Sequence, residues 1–172
     1  MKRIALILLL LAPLCVVAQE SADDVVYNIM GVRFGSMRNV VSNTLEQSYG
    51  SLDFNDASET YVAYLDKYYD GTTWDFIAFY FSKKNKFYKC VMSILCTTLD
   101  EARDERDRLG RRLRQQGNAL VTKYKSDDGE AYYLGGTSPT DENQYGYTIE
   151  VSTSSVTGKP YSAMISYGAY DY

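Results

Sequence analysis

Carboxylates come closest to a catalytic or metal-binding pattern in this chain. They form three clusters, which comprise Asp53, Asp56 and Glu59; Asp127, Asp128 and Glu130; and Asp141 with Glu142. Two facing carboxylates can serve as general acid and base in a hydrolase. Each cluster lies in a stretch that predicts a turn, however, where acidic side chains are usually solvated. The stretch from Asp53 to Asp56 also lacks the glycine and the later glutamate of a calcium loop. We therefore predict no catalytic residue, no metal and no cofactor.

Histidine is absent from all 172 residues. Its absence excludes nucleophile pairs of the Ser–His and Cys–His kinds. The chain also has no G-x-S-x-G elbow, no P-loop and no G-x-G-x-x-G after a strand. These patterns predict a protein that is not an enzyme.

Two cysteines, Cys90 and Cys96, lie in the predicted strand FYKCVMSILC. Six residues along a strand span about 20 Å, which is far beyond the reach of a disulfide. The pattern favours two buried free thiols. A disulfide between these cysteines would require the chain to turn back before Cys96. A metal site that uses both thiols is disfavoured because the chain has no histidine and no C-x-x-C spacing.

Tyrosine is the unusual feature of the composition, with 17 residues. If the Cys90 face is the core, strand alternation sends Ile77, Phe79 and Phe81 inward. The opposite, open face then carries a set of aromatic side chains, which comprises Tyr64, Tyr68, Trp74, Phe76, Tyr80 and Tyr133. Exposed tyrosine and tryptophan are typical of protein-binding surfaces, and also of platforms on which sugars stack. The alternative is that these rings pack beneath loops and pair across strands.

The elements that position these residues follow from hydrophobic periodicity. A first helix is predicted over 36–48 with Ser36 as its cap, and a second over 98–116 with a capping box of Thr98 and Glu101. Strands are predicted over 60–69, 72–81 and 86–96, with an additional short strand over 51–54, and then over 119–125, 130–136, 144–153 and 161–170. Asp70-Gly71 predicts a tight hairpin between the first two.

This order predicts an α+β fold built from two tandem helix-plus-four-strand repeats, over about 31–96 and 97–170. Neither half alone buries its helix and sheet well, so we expect one antiparallel curved sheet with both helices on one face. The prediction is a single domain over 19–172.

The first 18 residues predict a signal peptide, since Lys2 and Arg3 precede an apolar run and a small-residue cleavage site. The run is too short for a good membrane span, and none follows it. A lipid anchor on Cys15 is disfavoured because Leu14 precedes it.

Cleavage leaves 16 basic against 22 acidic residues, a net charge of −6, which disfavours binding to nucleic acid. The second helix carries acidic residues first and arginines last, an order that matches the helix dipole and predicts a solvated face.

The helix-then-strands order resembles the β-lactamase-inhibitor-protein-like fold, and GVRFGSMRNVVSNTL also resembles the entry motif of small outer-membrane assembly lipoproteins. The first resemblance implies a sheet that clamps a partner protein, with an acidic residue on a hairpin of the first repeat entering the partner's active site. Asp70 lies at a comparable hairpin tip. The characterised inhibitors are stabilised by disulfides, for which this chain has no suitably placed pair.

These observations predict a periplasmic or secreted, non-enzymatic module that binds an envelope or extracellular protein through the open aromatic face of its sheet. The alternative is a glycan-binding or cell-envelope accessory protein that uses the same aromatic residues.

Overall fold

The computed structural model describes residues 25–116, 122–139 and 144–168. The two helices are α1 (Arg38–Tyr49) and α2 (Leu99–Gln115). The strands are β1 (Asn28–Ile29), β2 (Val32–Arg33), β3 (Tyr61–Tyr69), β4 (Thr72–Phe81), β5 (Phe87–Cys96), β6 (Thr122–Lys125), β7 (Ala131–Thr137), β8 (Tyr145–Val156) and β9 (Lys159–Gly168). The predicted signal peptide lies outside the described residues.

Seven strands form one antiparallel sheet in the order β3-β4-β5-β9-β8-β7-β6, and β1 pairs with β2 in a separate hairpin. The strands that follow α1 and those that follow α2 join edge to edge through β5 and β9, in a register that places Met92 opposite Ile165. The prediction of an antiparallel sheet is confirmed.

The predicted fold class is wrong. Among the described residues the protein is mostly β, with nine strands and two helices, and it is not two helix-plus-four-strand repeats. The predicted strand over 51–54 is reduced to one isolated bridge, Phe54 to Ala63. The Asp53 carboxylate accepts a bond from the Leu65 N–H at 2.7 Å, so a side chain takes the place of a backbone partner at the edge of β3. Three strands therefore follow α1, and four follow α2.

Both helices lie against the same face of the sheet. On β3, the Tyr64 hydroxyl donates to the carbonyl of Gly50 at the end of α1, at 2.8 Å. On β7, the Tyr133 ring lies 3.0 Å from the position that a Cβ on Gly110 of α2 would take. These two tyrosines belong to one row of cross-strand neighbours, which share a face of the sheet. The row comprises Tyr64, Ile77, Met92, Ile165, Ile149 and Tyr133. We call this side the helix face and the other side the open face.

The β1–β2 hairpin completes the cover of the helix face. Its residues Ile29, Met30 and Val32 are buried in the same hydrophobic cluster as the row above. Just after the hairpin, Phe34 stacks on Phe87 with 4.5 Å between ring centroids. Ile77, Phe79 and Phe81 are also buried in this cluster, as strand alternation predicts.

The two helices differ at their N-termini: α2 has the side-chain cap that its sequence predicts, and α1 does not. Thr98 caps α2, since its hydroxyl accepts a bond from the Glu101 N–H at 3.2 Å, as predicted. The Glu101 carboxylate reaches back to the N–H of Thr97 at 2.8 Å, one residue before the cap. At α1, the cap is Met37 rather than the predicted Ser36, and no side chain bonds the first turn.

The two cysteines of the described chain are both free and buried, so the prediction of buried free thiols is confirmed. Cys90 and Cys96 lie on the same strand, β5. Burial raises the pKa of both thiols, and it raises that of Cys90 well above its ordinary value.

Candidate functional site: the open face of the sheet

The open face carries a groove of about 570 Å³ between strands β3–β5 and the β8–β9 hairpin. Large apolar and aromatic side chains line its floor and near wall: Leu65, Phe76, Tyr80, Val91, Leu95 and Met164. The far wall is formed by the hairpin segment 152–156, whose side chains are mostly hydroxyl-bearing. The groove can therefore hold an apolar group while hydroxyls bond its polar neighbours.

A local change of backbone conformation decides which side chains of β3 and β4 reach this groove. Asp66 has a φ of +46°, and the ladder between β3 and β4 omits the pair of Asp66 and Asp75. Strict alternation is lost at this point, so the adjacent residues Asp75 and Phe76 both line the groove. Trp74, next to Asp75 on β4, lies on the helix face, where it is buried near Arg112.

Three residues predicted on the open face are buried on the helix face instead. The exposed fractions of Tyr64, Trp74 and Tyr133 are 1%, 1% and 6%. Trp74 donates from Nε1 to the Tyr69 carbonyl at 3.2 Å, and the Arg112 guanidinium lies 5.8 Å from its ring centroid. The assignment of these three aromatic side chains to the open face is therefore corrected.

Phe76 and Tyr80 line the groove as predicted from alternation, and Tyr61 supports both of them. The Tyr61 ring packs edge-on against Phe76, with centroids 6.3 Å apart, and is tilted against Tyr80 at 5.6 Å. Burial raises the pKa of the Tyr80 hydroxyl. The three rings form a small aromatic cluster at one side of the groove.

The other two candidates, Tyr68 and Asp70, lie at the tip of the β3–β4 hairpin. Tyr68 is the more accessible, with 68% of its surface exposed. The Asp70 carboxylate forms an ion pair with Arg112 at 3.5 Å and accepts a bond from the Gln116 amide at 3.2 Å. Asp70 is thus tied to the end of α2 rather than projecting freely from the hairpin.

The hydroxyl-rich wall of the groove was not recognised in the sequence. Its members are Ser152, Thr153, Ser154, Ser155 and Ser162. The only signal was that β8 loses its alternation after Val151, where the run STSS begins. In the structure the ladder between β8 and β9 is irregular between Thr153 and Val156, and such irregularities bend a strand.

The carboxylate clusters mainly stabilise turns and contacts with α2. Asp56 accepts bonds from Ser58, and Asp128 accepts one from the Glu130 N–H at 3.1 Å. Glu130 pairs with Arg103 and Arg106 at 2.7 and 2.6 Å, and the bond with Arg103 contributes most to lowering its pKa to about 2. Within the described ranges no three histidine, cysteine or acidic side chains are grouped so that they could hold a metal ion. Residues 141 and 142 lie outside those ranges.

Arg106, in the acidic first half of α2, was not singled out in the sequence and is buried. Only 5% of its side chain is exposed, and it bonds Asp107 at 2.8 Å as well as Glu130. Arg106 also donates to the Ala131 carbonyl at 2.9 Å. This arginine therefore joins α2 to the start of β7.

In comparisons with known proteins, no family model, curated protein or solved structure matches this chain. The resemblance to the β-lactamase-inhibitor-protein-like fold accordingly stays a prediction. None of the described helices has the length and apolar character needed to cross a membrane.

Proposed function

We propose that this chain is an exported, non-enzymatic binding module that recognises another protein through the groove on its open face. The observation that carries the proposal is an apolar groove in the middle of a sheet face, on the side opposite the two helices. Leu65 and Val156, on its two sides, are 43% and 47% exposed. Uncovered apolar side chains at a concave place are typical of interaction sites.

The composition of the groove fits a protein ligand. The aromatic and long aliphatic side chains of its lining, here Phe76, Tyr80 and Met164, are of the kinds found at the buried centre of a protein interface. Ser152 and Ser154 add hydroxyls to the lining, and hydroxyl groups of this kind form hydrogen bonds at the polar rims of interfaces. The best-fitting occupant is an exposed apolar segment of a partner protein, whose backbone groups bond these hydroxyls.

The proposed export depends on the amino-terminal residues. Lys2 and Arg3, the apolar run and the small-residue cleavage site are the pattern that secretion requires. The partner would then be an envelope or extracellular protein.

Site-specific photo-crosslinking tests this function directly. A photoreactive phenylalanine analogue replaces Tyr80 in one variant and Tyr27 in a matched control, and each is exported in living cells. Tyr27 is 51% exposed and precedes the β1–β2 hairpin, outside the groove. We expect the probe at position 80 to give a discrete crosslinked protein, which mass spectrometry identifies. The probe at position 27 should give no such product.

A second variant shows whether the groove itself binds. Phe76→Glu places a charge on the groove floor and should abolish the crosslink from position 80, with an unchanged circular dichroism spectrum. Identical crosslinks from positions 80 and 27, or a crosslink that survives Phe76→Glu, would contradict the proposed function.

A further inference from the structure

Three tyrosines near the β6 edge of the sheet form a preassembled aromatic platform, which comprises Tyr124, Tyr132 and Tyr145. Tyr124 and Tyr132 are direct cross-strand partners on β6 and β7, and their rings stack with centroids 5.6 Å apart and planes at 21°. The Tyr145 ring meets Tyr124 edge-on at 6.4 Å, and the two hydroxyls are 2.9 Å apart. Rings that are already held in place lose little conformational freedom when a ligand binds.

Tyr132 stands between two shallow hollows, each of which also includes Ser126 and Glu150. The smaller has a volume of about 230 Å³ and is completed by Asp128, Glu130, Ala131 and Val151. The larger has a volume of about 440 Å³ and is completed by Lys125, Asp127, Leu134 and Thr148. A ligand that follows the sheet surface would contact the Tyr132 ring and have polar groups on both sides.

The hollows differ in chemistry from the protein-binding groove. Apolar and hydroxyl-bearing side chains line the groove, which includes one carboxylate, Asp75. Four carboxylates lie around Tyr132, namely Asp127, Asp128, Glu130 and Glu150. Glu150 is half-buried, and its carboxylate forms no hydrogen bond or ion pair with the described residues. A carboxylate that no described residue bonds, beside an aromatic ring, suits a ligand with many hydroxyl donors and a flat apolar face.

We propose that the Tyr132 platform binds a neutral glycan chain. One pyranose ring lays its C–H face on Tyr132, and its hydroxyls donate to the Glu150 carboxylate. The surrounding acidic side chains disfavour anionic sugars. Phe76 and Tyr132 lie in the same cross-strand row, four strands apart, a separation of roughly 19 Å. The glycan site is therefore separate from the groove, and the two can be tested independently.

Titration calorimetry with a panel of neutral hexasaccharides provides the test, using cello-, malto-, xylo- and chito-oligomers on the chain without residues 1–18. We expect wild-type protein to bind at least one of them at millimolar concentration or below. Tyr132→Ala should weaken binding about tenfold or more, because the stacked ring is lost. Tyr132→Phe should retain most of the affinity because the ring face remains.

Further variants keep the test decisive if Tyr132→Ala misfolds. Glu150→Gln removes the charged acceptor and should weaken binding by about tenfold, while Tyr27→Ala should leave it unchanged. Phe76→Glu should abolish protein crosslinking without changing the sugar affinity. Absence of binding to every oligomer, equal affinity of wild type and Tyr132→Ala, or an equal loss in Phe76→Glu would each overturn the proposal.

Discussion

The side chains of Asp75 on β4 and Lys159 on β9 meet across the intervening strand β5, with 2.9 Å between the Lys159 Nζ and the Asp75 Oδ1. The second oxygen of Asp75 accepts a bond from the Leu95 N–H at 2.9 Å, which holds the carboxylate in place. The bond to Asp75 contributes most to raising the pKa of Lys159. Because Lys159 begins β9, this pair ties the β8–β9 hairpin to the end of the groove.

Removal of this pair should loosen the hairpin. In Lys159→Met, we expect faster amide hydrogen exchange over residues 154–158 because the hairpin loses its bond to β4. Lys125→Met is the matched control, since Lys125 is exposed and forms no ion pair with the described residues. Exchange rates in the hairpin that are the same in both variants would show that the pair does not hold it.

Substitution of Trp74 should destabilise the fold rather than remove an exposed contact. Trp74 is among the largest fully buried side chains, so Trp74→Ala should lower the free energy of unfolding by about 3–5 kcal/mol. Urea denaturation measures the change. The control Tyr27→Ala alters a half-exposed ring, and its free energy of unfolding should stay within about 0.5 kcal/mol of the wild-type value. A similarly small effect at Trp74 would place the indole on the surface.

The Glu130 network should make stability depend on pH in the acidic range. The pKa of Glu130 is about 2 in the folded protein against 4.5 ordinarily, so its contribution is present above about pH 4.5 and is lost as the pH falls towards 2. Glu130→Gln should lower the free energy of unfolding by about 1–2 kcal/mol near neutral pH, because buried Arg106 loses one charged partner but keeps Asp107 and the Ala131 carbonyl. The difference in unfolding free energy between this variant and wild type should become smaller as the pH is lowered.

Glu105→Gln is the control for this network. Glu105 pairs with Arg108 on the partly exposed surface of α2, so its loss should cost less than about 1 kcal/mol. Urea unfolding of both variants and wild type, at neutral pH and at pH 3, gives the comparison. If the loss of unfolding free energy in Glu130→Gln is the same at both pH values, Glu130 does not have a lowered pKa in the folded protein.

The thiols should be unreactive in the folded protein. The burial that raises the pKa of Cys90 and Cys96 leaves little thiolate near neutral pH, and thiolate is the reactive form. In the chain without residues 1–18, we expect almost no modification by a thiol reagent until urea unfolds the protein, and then modification of both cysteines. A mass that rises by two hydrogens on reduction would instead reveal a disulfide.

Much of the local structure could be predicted because its causes lie within a few residues. Thr98 and Glu101 define the start of α2 by bonds over three and four positions. Asp70 and Gly71 both adopt positive φ, at 47° and 72°, which the tightest hairpin turns require. The hydrophobic alternation of β4 placed Ile77 and Phe79 in the core by the same short-range reasoning.

The tertiary structure alone decided which aromatic side chains are exposed. Trp74 lies on the helix face beside the point where the β3–β4 ladder omits the pair of Asp66 and Asp75, and Asp66 has a positive φ there. Aspartate tolerates positive φ, but strand periodicity does not show that this aspartate adopts it. The burial of Arg106 likewise depends on Glu130, 24 positions later. The site also depends on a hairpin that reaches β4 through Asp75 and Lys159, 84 positions apart. Periodicity describes one element at a time, whereas these features arise only when distant strands share a sheet and compete for its two faces.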